Sequence, residues 1–154
     1  MRAAVILVGC IAVAIGGCSS GGDNNATDAN RLRVSDAWIR LAAVPGTPSA
    51  AYFTIHGGPT SDRLTSISSP QVRRAEMHET MAADHGMARM APVEQLAVPA
   101  GGTVTFAPGG RHVMLFGLDA AATAGREVRL DLAFASGRTL AARARVRAMG
   151  DERQ

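Results

Sequence analysis

The sequence predicts an all-β domain, a sandwich or barrel, and three observations carry that prediction. Short apolar or β-branched runs recur at a spacing of roughly ten residues, and Gly/Pro clusters separate them. No stretch beyond the N-terminal segment shows a 3.6-residue apolar period. An aromatic content of 4% fits a small core.

The elements follow in order. Leu32, Val34 and the group Ala37-Trp38-Ile39 predict a first strand, closed by the loop Pro45-Gly46-Thr47-Pro48. Residues 50–56 are aromatic and β-branched, a second strand stopped by Gly57-Gly58-Pro59. Residues 64–68 make a third before Pro70. Residues 75–81 and 87–93 read as the arms of a hairpin joined by 82–86. Residues 95–98 and 103–107 are short strands, each followed by a Pro and paired glycines, and 112–118 is a longer one.

In residues 128–135, Val128, Leu130, Leu132 and Phe134 alternate with Arg129 and Asp131, so the apolar set faces inward. Residues 140–146 close the domain, with Arg143, Arg145 and Arg147 on a wet face between Ala144 and Val146. The alanine-rich run 119–124 predicts one short helical turn stopped by Gly125.

Ahead of this domain, Arg2 precedes an apolar run over residues 3–15, too short to span a bilayer as a helix and read as an export signal. The run ends Ile15-Gly16-Gly17-Cys18, which resembles the lipobox of bacterial lipoproteins, in which the cysteine becomes the lipidated N-terminus. The polar residues 19–30 then read as a tether. The expected organisation is a signal peptide over 1–17, lipidated Cys18 and linker over 18–30, a β domain over 31–148 and a tail over 149–154. The expected location is the cell envelope, on the periplasmic side of a bacterial membrane, held there by the lipid.

Composition narrows the function. The net charge is +3, and every basic residue is arginine. These arginines are scattered without interleaved aromatics in an exported chain, which argues against nucleic-acid binding. The β domain, residues 31–148, carries neither a Gly-x-Ser-x-Gly elbow nor a His-Glu-x-x-His zinc helix, so an enzyme is not expected. Cleavage before Cys18 removes Cys10 and commits Cys18 to lipid. A blue-copper centre, which needs a cysteine thiolate, is then excluded, and with it an electron-transfer role.

The chemistry concentrates in residues 77–114, which hold three of the four histidines and five of the seven methionines. Imidazole nitrogen and thioether sulfur are the ligands a soft ion such as Cu(I) prefers. His112 and Met114 are spaced i, i+2, which on a strand places both on one face. Two further ligands have to come from the segment 78–90. The expected metal ligands are His78, Met90, His112 and Met114. Met81, His85 and Met87 form a candidate second, more exposed site, with Cu(II) as an optional occupant there. Methionine is also a common gap-filler in cores. However, Met77, Met81, Met87 and Met90 stand among Glu, Thr, Asp, Gly and Arg, and a hairpin that polar has no obvious need for four buried thioethers. The competing reading is a structural or adhesive envelope domain without metal transfer.

Several stretches together resemble the periplasmic copper chaperones of the PCuAC type. They are Ala37-Trp38-Ile39-Arg40, Ala51-Tyr52-Phe53-Thr54-Ile55, Met77-His78-Glu79-Thr80, Met90-Ala91-Pro92-Val93-Glu94, Val98-Pro99-Ala100-Gly101-Gly102 and residues 108–118. The likeness covers residues 32–147. The family motif (a histidine, a methionine, a long spacer, then His-x-Met) maps onto His78, Met90, His112 and Met114. The 21 residues between Met90 and His112 agree with it, while the 11 between His78 and Met90 are one more than usual. An insertion in the 82–86 turn accounts for the difference, or else Met87 takes the place of Met90. The resemblance implies a cupredoxin-like Greek-key β-barrel or sandwich holding Cu(I). It also implies delivery to the copper subunit of a cytochrome oxidase, with a Sco-type copper protein as an alternative partner.

Overall fold

The structure, a computed structural model, describes residues 31–82 and 88–151. The expected signal, Cys18, the linker and the end of the tail lie outside these residues. Among the described residues the chain forms strands β1 (Arg33–Arg40), β2 (Ser49–His56), β3 (Asp62–Ser68), β4 (Val72–Ala82) and β5 (Ala88–Pro92). After them come β6 (Leu96–Val98), β7 (Thr103–Phe106), β8 (Arg111–Leu118), β9 (Glu127–Phe134) and β10 (Thr139–Arg147). Every run read as a strand forms one, and the fold is all-β.

The strands pair in the order β5-β4-β8-β2-β1-β10-β9-β3-β6, with β7 added alongside β2. All pairs are antiparallel except β1 with β10. β3 packs against β4 although the two lie near opposite ends of that path, so the sheet wraps over itself around one core. The result is an open, cupredoxin-like sandwich.

Period-2 patterning builds the core. Val128, Leu130, Leu132 and Phe134 are buried, faced by Ala142, Ala144 and Val146 of β10. Arg143 and Arg145 point outward, and Arg147 lies over the Trp38 ring with its guanidinium 5.0 Å from the ring centroid. Phe53 and Phe106 meet across the β2–β7 pair with ring centroids 4.4 Å apart, beside buried Ile55, Leu64, Val113 and Leu115.

Two local features differ from a plain alternating pattern. β1 carries a bulge between Ser35 and Trp38, with Asp36 at φ 53°. A short polar side chain tolerates that left-handed geometry. The extra residue re-aims Trp38 onto Tyr52, the ring centroids being 4.5 Å apart, while Ile39 enters the core. The alanine run 119–124 forms turns and no helix. The Asp119 carboxylate accepts from the Ala121 N–H at 2.9 Å, and the Asp119 carbonyl accepts from Ala122 N–H. That side-chain turn competes with helix nucleation, which six residues cannot offset.

Gly57 welds the end of β2 to the turn before β7. Its N–H donates to the Gly102 carbonyl at 2.7 Å, and a Cβ there would stand 2.0 Å from the Pro99 oxygen. Only glycine fits so close a backbone approach.

Candidate metal centre

β4 and β8 run antiparallel, and their register decides the site. His78 lies directly opposite His112, Glu76 opposite Met114, and Arg74 opposite Phe116. Residues paired across a ladder share a face, as do residues two apart along a strand. Six side chains therefore project from one face. On the other side of the same strands, Met77 pairs with Val113 and is 7% exposed in the core. The sequence pattern behind this is alternation itself: Met77, Val113 and Leu115 face in, so Met77, grouped above with the polar-segment thioethers, is a core residue, while Arg74, Glu76, His78, His112, Met114 and Phe116 face out.

β5 extends the face on the far side of β4. His78 is opposite Pro92 and Thr80 is opposite Met90, so Met90 and Met114 are both diagonal neighbours of His78. His78 is the hub, with His112 beside it and one thioether on each flanking strand. The ring centroids of His78 and His112 are 6.0 Å apart, with the planes 26° from parallel.

Burial is graded across the group. His112 is 9% exposed, Met114 is half-buried, the His78 side chain is 16% exposed, and Met90 is 55% exposed on the edge strand. The hydrogen bonds of the two imidazoles matter more. His112 Nδ1 lies 3.0 Å from the Gly110 carbonyl, to which it donates, and this leaves Nε2 as the ring's acceptor. His78 Nε2 lies 3.3 Å from Glu76 Oε2, and His78 Nδ1 is buried with no hydrogen-bond partner among the described residues. A buried nitrogen without a partner costs about 1–3 kcal/mol unless something takes its lone pair.

Among the described residues, no cluster of three or more His, Cys, Asp or Glu side chains is placed to hold a metal. Met90 and Met114 stand on the same face as the two imidazoles. The residues present suit a soft monovalent ion: two imidazoles each with a nitrogen left over, and two thioethers on the same side.

The expected second site fares differently. Met81 is 48% exposed, but strand alternation sets it on the face opposite His78. His85 and Met87 lie outside the described residues. The sequence reading passed over Glu76 and Arg74. Their signal was present in the run Arg74, Glu76, His78, where every second residue is polar or titratable.

A family model described as "Putative lipoprotein LpqE-like" matches residues 32–146. The chain belongs to the LpqE-like family. A relative described as "Putative lipoprotein Lxx21020", from Leifsonia xyli subsp. xyli, is 31% identical over 111 residues, which are 72% of this chain. That alignment spans 66% of the relative, so the chain covers just under two thirds of its length.

Among solved structures, this LpqE-like chain is similar to the copper-bound PCuAC domain of PmoF2. The TM-score is 0.63 at 24% identity, covering 76% of this chain and 92% of that one, a likeness of fold. The Cu(I) form of DR1885 from Deinococcus radiodurans matches with a TM-score of 0.58 at 33% identity, over 80% of this chain and 84% of that one. The expected cupredoxin-like fold and the PCuAC resemblance both hold.

Proposed function

We propose that the protein is an exported carrier of Cu(I), holding the ion between His78, His112, Met114 and Met90. The observation that carries this reading is the His78–His112 cross-strand pair, in which one ring nitrogen is buried without a partner among the described residues and both flanking diagonals are thioethers. The relatives support it: one solved neighbour is a copper-bound domain and another a Cu(I)-bound protein.

The ligand set suits carriage better than catalysis. Four neutral ligands leave the ion's positive charge uncompensated, and thioethers hold Cu(I) less firmly than thiolates do. A thiolate-bearing acceptor can then take the ion by stepwise ligand exchange, starting at the exposed Met90. Outside the cytoplasm, thioethers have the further advantage that they cannot be drawn into disulfides.

The setting follows from the sequence. Lipid on Cys18 holds the carrier at the membrane, and residues 19–30 give the domain reach. The acceptor is the copper subunit of a cytochrome oxidase, reached directly or through a Sco-type copper protein. Anaerobic titration with Cu(I) against a competing chelator tests the carrier reading. One tightly held equivalent, lost in His112→Ala, is expected. No binding by the parent would leave a structural envelope lipoprotein as the better account.

A further inference from the structure

The outer face of β4 carries a line of charges leading to His78. Arg74, Glu76 and His78 are spaced i, i+2, i+4, and each touches the next. Arg74 Nη1 is 3.1 Å from Glu76 Oε1, and the other carboxylate oxygen, Oε2, is 3.3 Å from His78 Nε2. The far end of the line is also fixed, because the Arg74 guanidinium carbon sits 4.2 Å from the centroid of the Phe116 ring across the ladder.

We infer that Glu76 is a positioning residue for the metal face: it fixes which nitrogen of His78 is offered to the ion. A carboxylate accepts and does not donate, so the proton of a neutral His78 belongs on Nε2. The lone pair is then on Nδ1, the buried atom that has no hydrogen-bond partner among the described residues. His112 is set the opposite way, since Gly110 takes its Nδ1 proton and leaves Nε2 free. The two rings thus present different nitrogens, Nδ1 from β4 and Nε2 from β8.

Three further consequences follow from the geometry. Fixing the tautomer before the ion arrives removes the alternative state, in which His78 would present an N–H to the metal. A hydrogen-bonded carboxylate also raises the basicity of a ligand imidazole, and removing such a partner typically costs 10–100-fold in metal affinity. Glu76 further brings one negative charge against a ligand set that has none. Its cross-strand position opposite Met114 keeps that charge beside the site and outside the four-ligand set. Arg74 holds the carboxylate in place, and Phe116 holds Arg74.

The inference rests on the proposed copper site for its purpose, but it makes a claim about the metal-free protein that can be read separately. Nitrogen-15 correlation spectra of the two imidazoles, recorded without metal at a pH where both are neutral, report the tautomers. The parent is expected to show His78 protonated on Nε2 and His112 on Nδ1. Glu76→Ala should give a mixed population at His78, leave His112 unchanged, and weaken Cu(I) binding about 10–100-fold. Glu76→Gln keeps an acceptor oxygen without the charge, so it should retain the His78 tautomer and recover part of the affinity.

A His78 tautomer that is the same in Glu76→Ala as in the parent would overturn the inference. So would a Cu(I) affinity unchanged within twofold in both variants. A parent that shows the expected tautomers and loses them in Glu76→Ala, yet binds no Cu(I), would sink the carrier reading while leaving the orientation of His78 by Glu76 intact.

Discussion

His78 on β4 and His112 on β8 lie directly opposite each other, with 33 residues (79–111) between them in sequence and ring centroids 6.0 Å apart. Their hydrogen bonds leave different nitrogens free, Nδ1 on one and Nε2 on the other. The flanking diagonals are Met114 and Met90.

Met114→Leu should abolish tight Cu(I) binding and leave the fold intact. Leucine matches methionine in volume, and such swaps cost less than about 1.5 kcal/mol. Competition titration and a thermal melt check the two halves. A variant that binds copper like the parent would remove Met114 from the ligand set.

Met90→Leu should leave stability within about 0.5 kcal/mol of the parent, since the side chain is 55% exposed. It should speed the transfer of copper to a competing chelator in stopped-flow measurements. Met87→Leu is expected to release copper at the parent rate. The reverse pattern would make Met87 the fourth ligand.

Leu130→Ala removes a fully buried side chain from the centre of β9 and should cost about 2–5 kcal/mol. Chemical denaturation reads this directly. Copper affinity at temperatures where the variant stays folded should not change, because Leu130 faces away from the ligands.

Asp62 fastens the start of β3 to the β9–β10 hairpin. Its carboxylate accepts from the Ser136 hydroxyl at 2.5 Å, from the Ser136 N–H at 3.2 Å and from the Arg63 N–H at 2.8 Å. The Ser136 hydroxyl is the main reason its pKa lies below the ordinary 3.8. A depressed folded-state pKa means that the carboxylate's stabilisation is fully present above the unfolded value and lost as pH falls through the folded one. Asp62→Asn should therefore lower the melting temperature at pH 7 and flatten its decline below about pH 4. Melting curves of the two proteins that run parallel down to acid pH would contradict this.

Much of the architecture was legible because strand burial writes itself as period 2. β9 is the clearest case, with Val128, Leu130, Leu132 and Phe134 all buried. The bulge in β1 was not legible. Alternation breaks between Ser35 and Trp38, and in sequence a two-for-one mismatch looks like a weak strand. The turn at 119–124 was misjudged because alanine's helix propensity is small beside the hydrogen bond that Asp119 makes to the next turn.

At the site, the i, i+2 spacing of His112 and Met114 is local and could be read directly. The pairing of His78 with His112 is set by the register of two strands distant in sequence, which no spacing rule supplies. Glu76 escaped notice for a related reason. Its meaning depends on the orientation of the ring two residues along, and that appears only once β4 is laid against β8.

The central claim is that two imidazoles and two thioethers together hold Cu(I). X-ray absorption spectroscopy of the anaerobically loaded protein tests it most directly, because nitrogen and sulfur neighbours scatter distinguishably. A mixed first shell is predicted, whose nitrogen part falls in His112→Ala and whose sulfur part falls in Met114→Leu. A shell of nitrogen and oxygen alone, insensitive to Met114→Leu, would contradict the account.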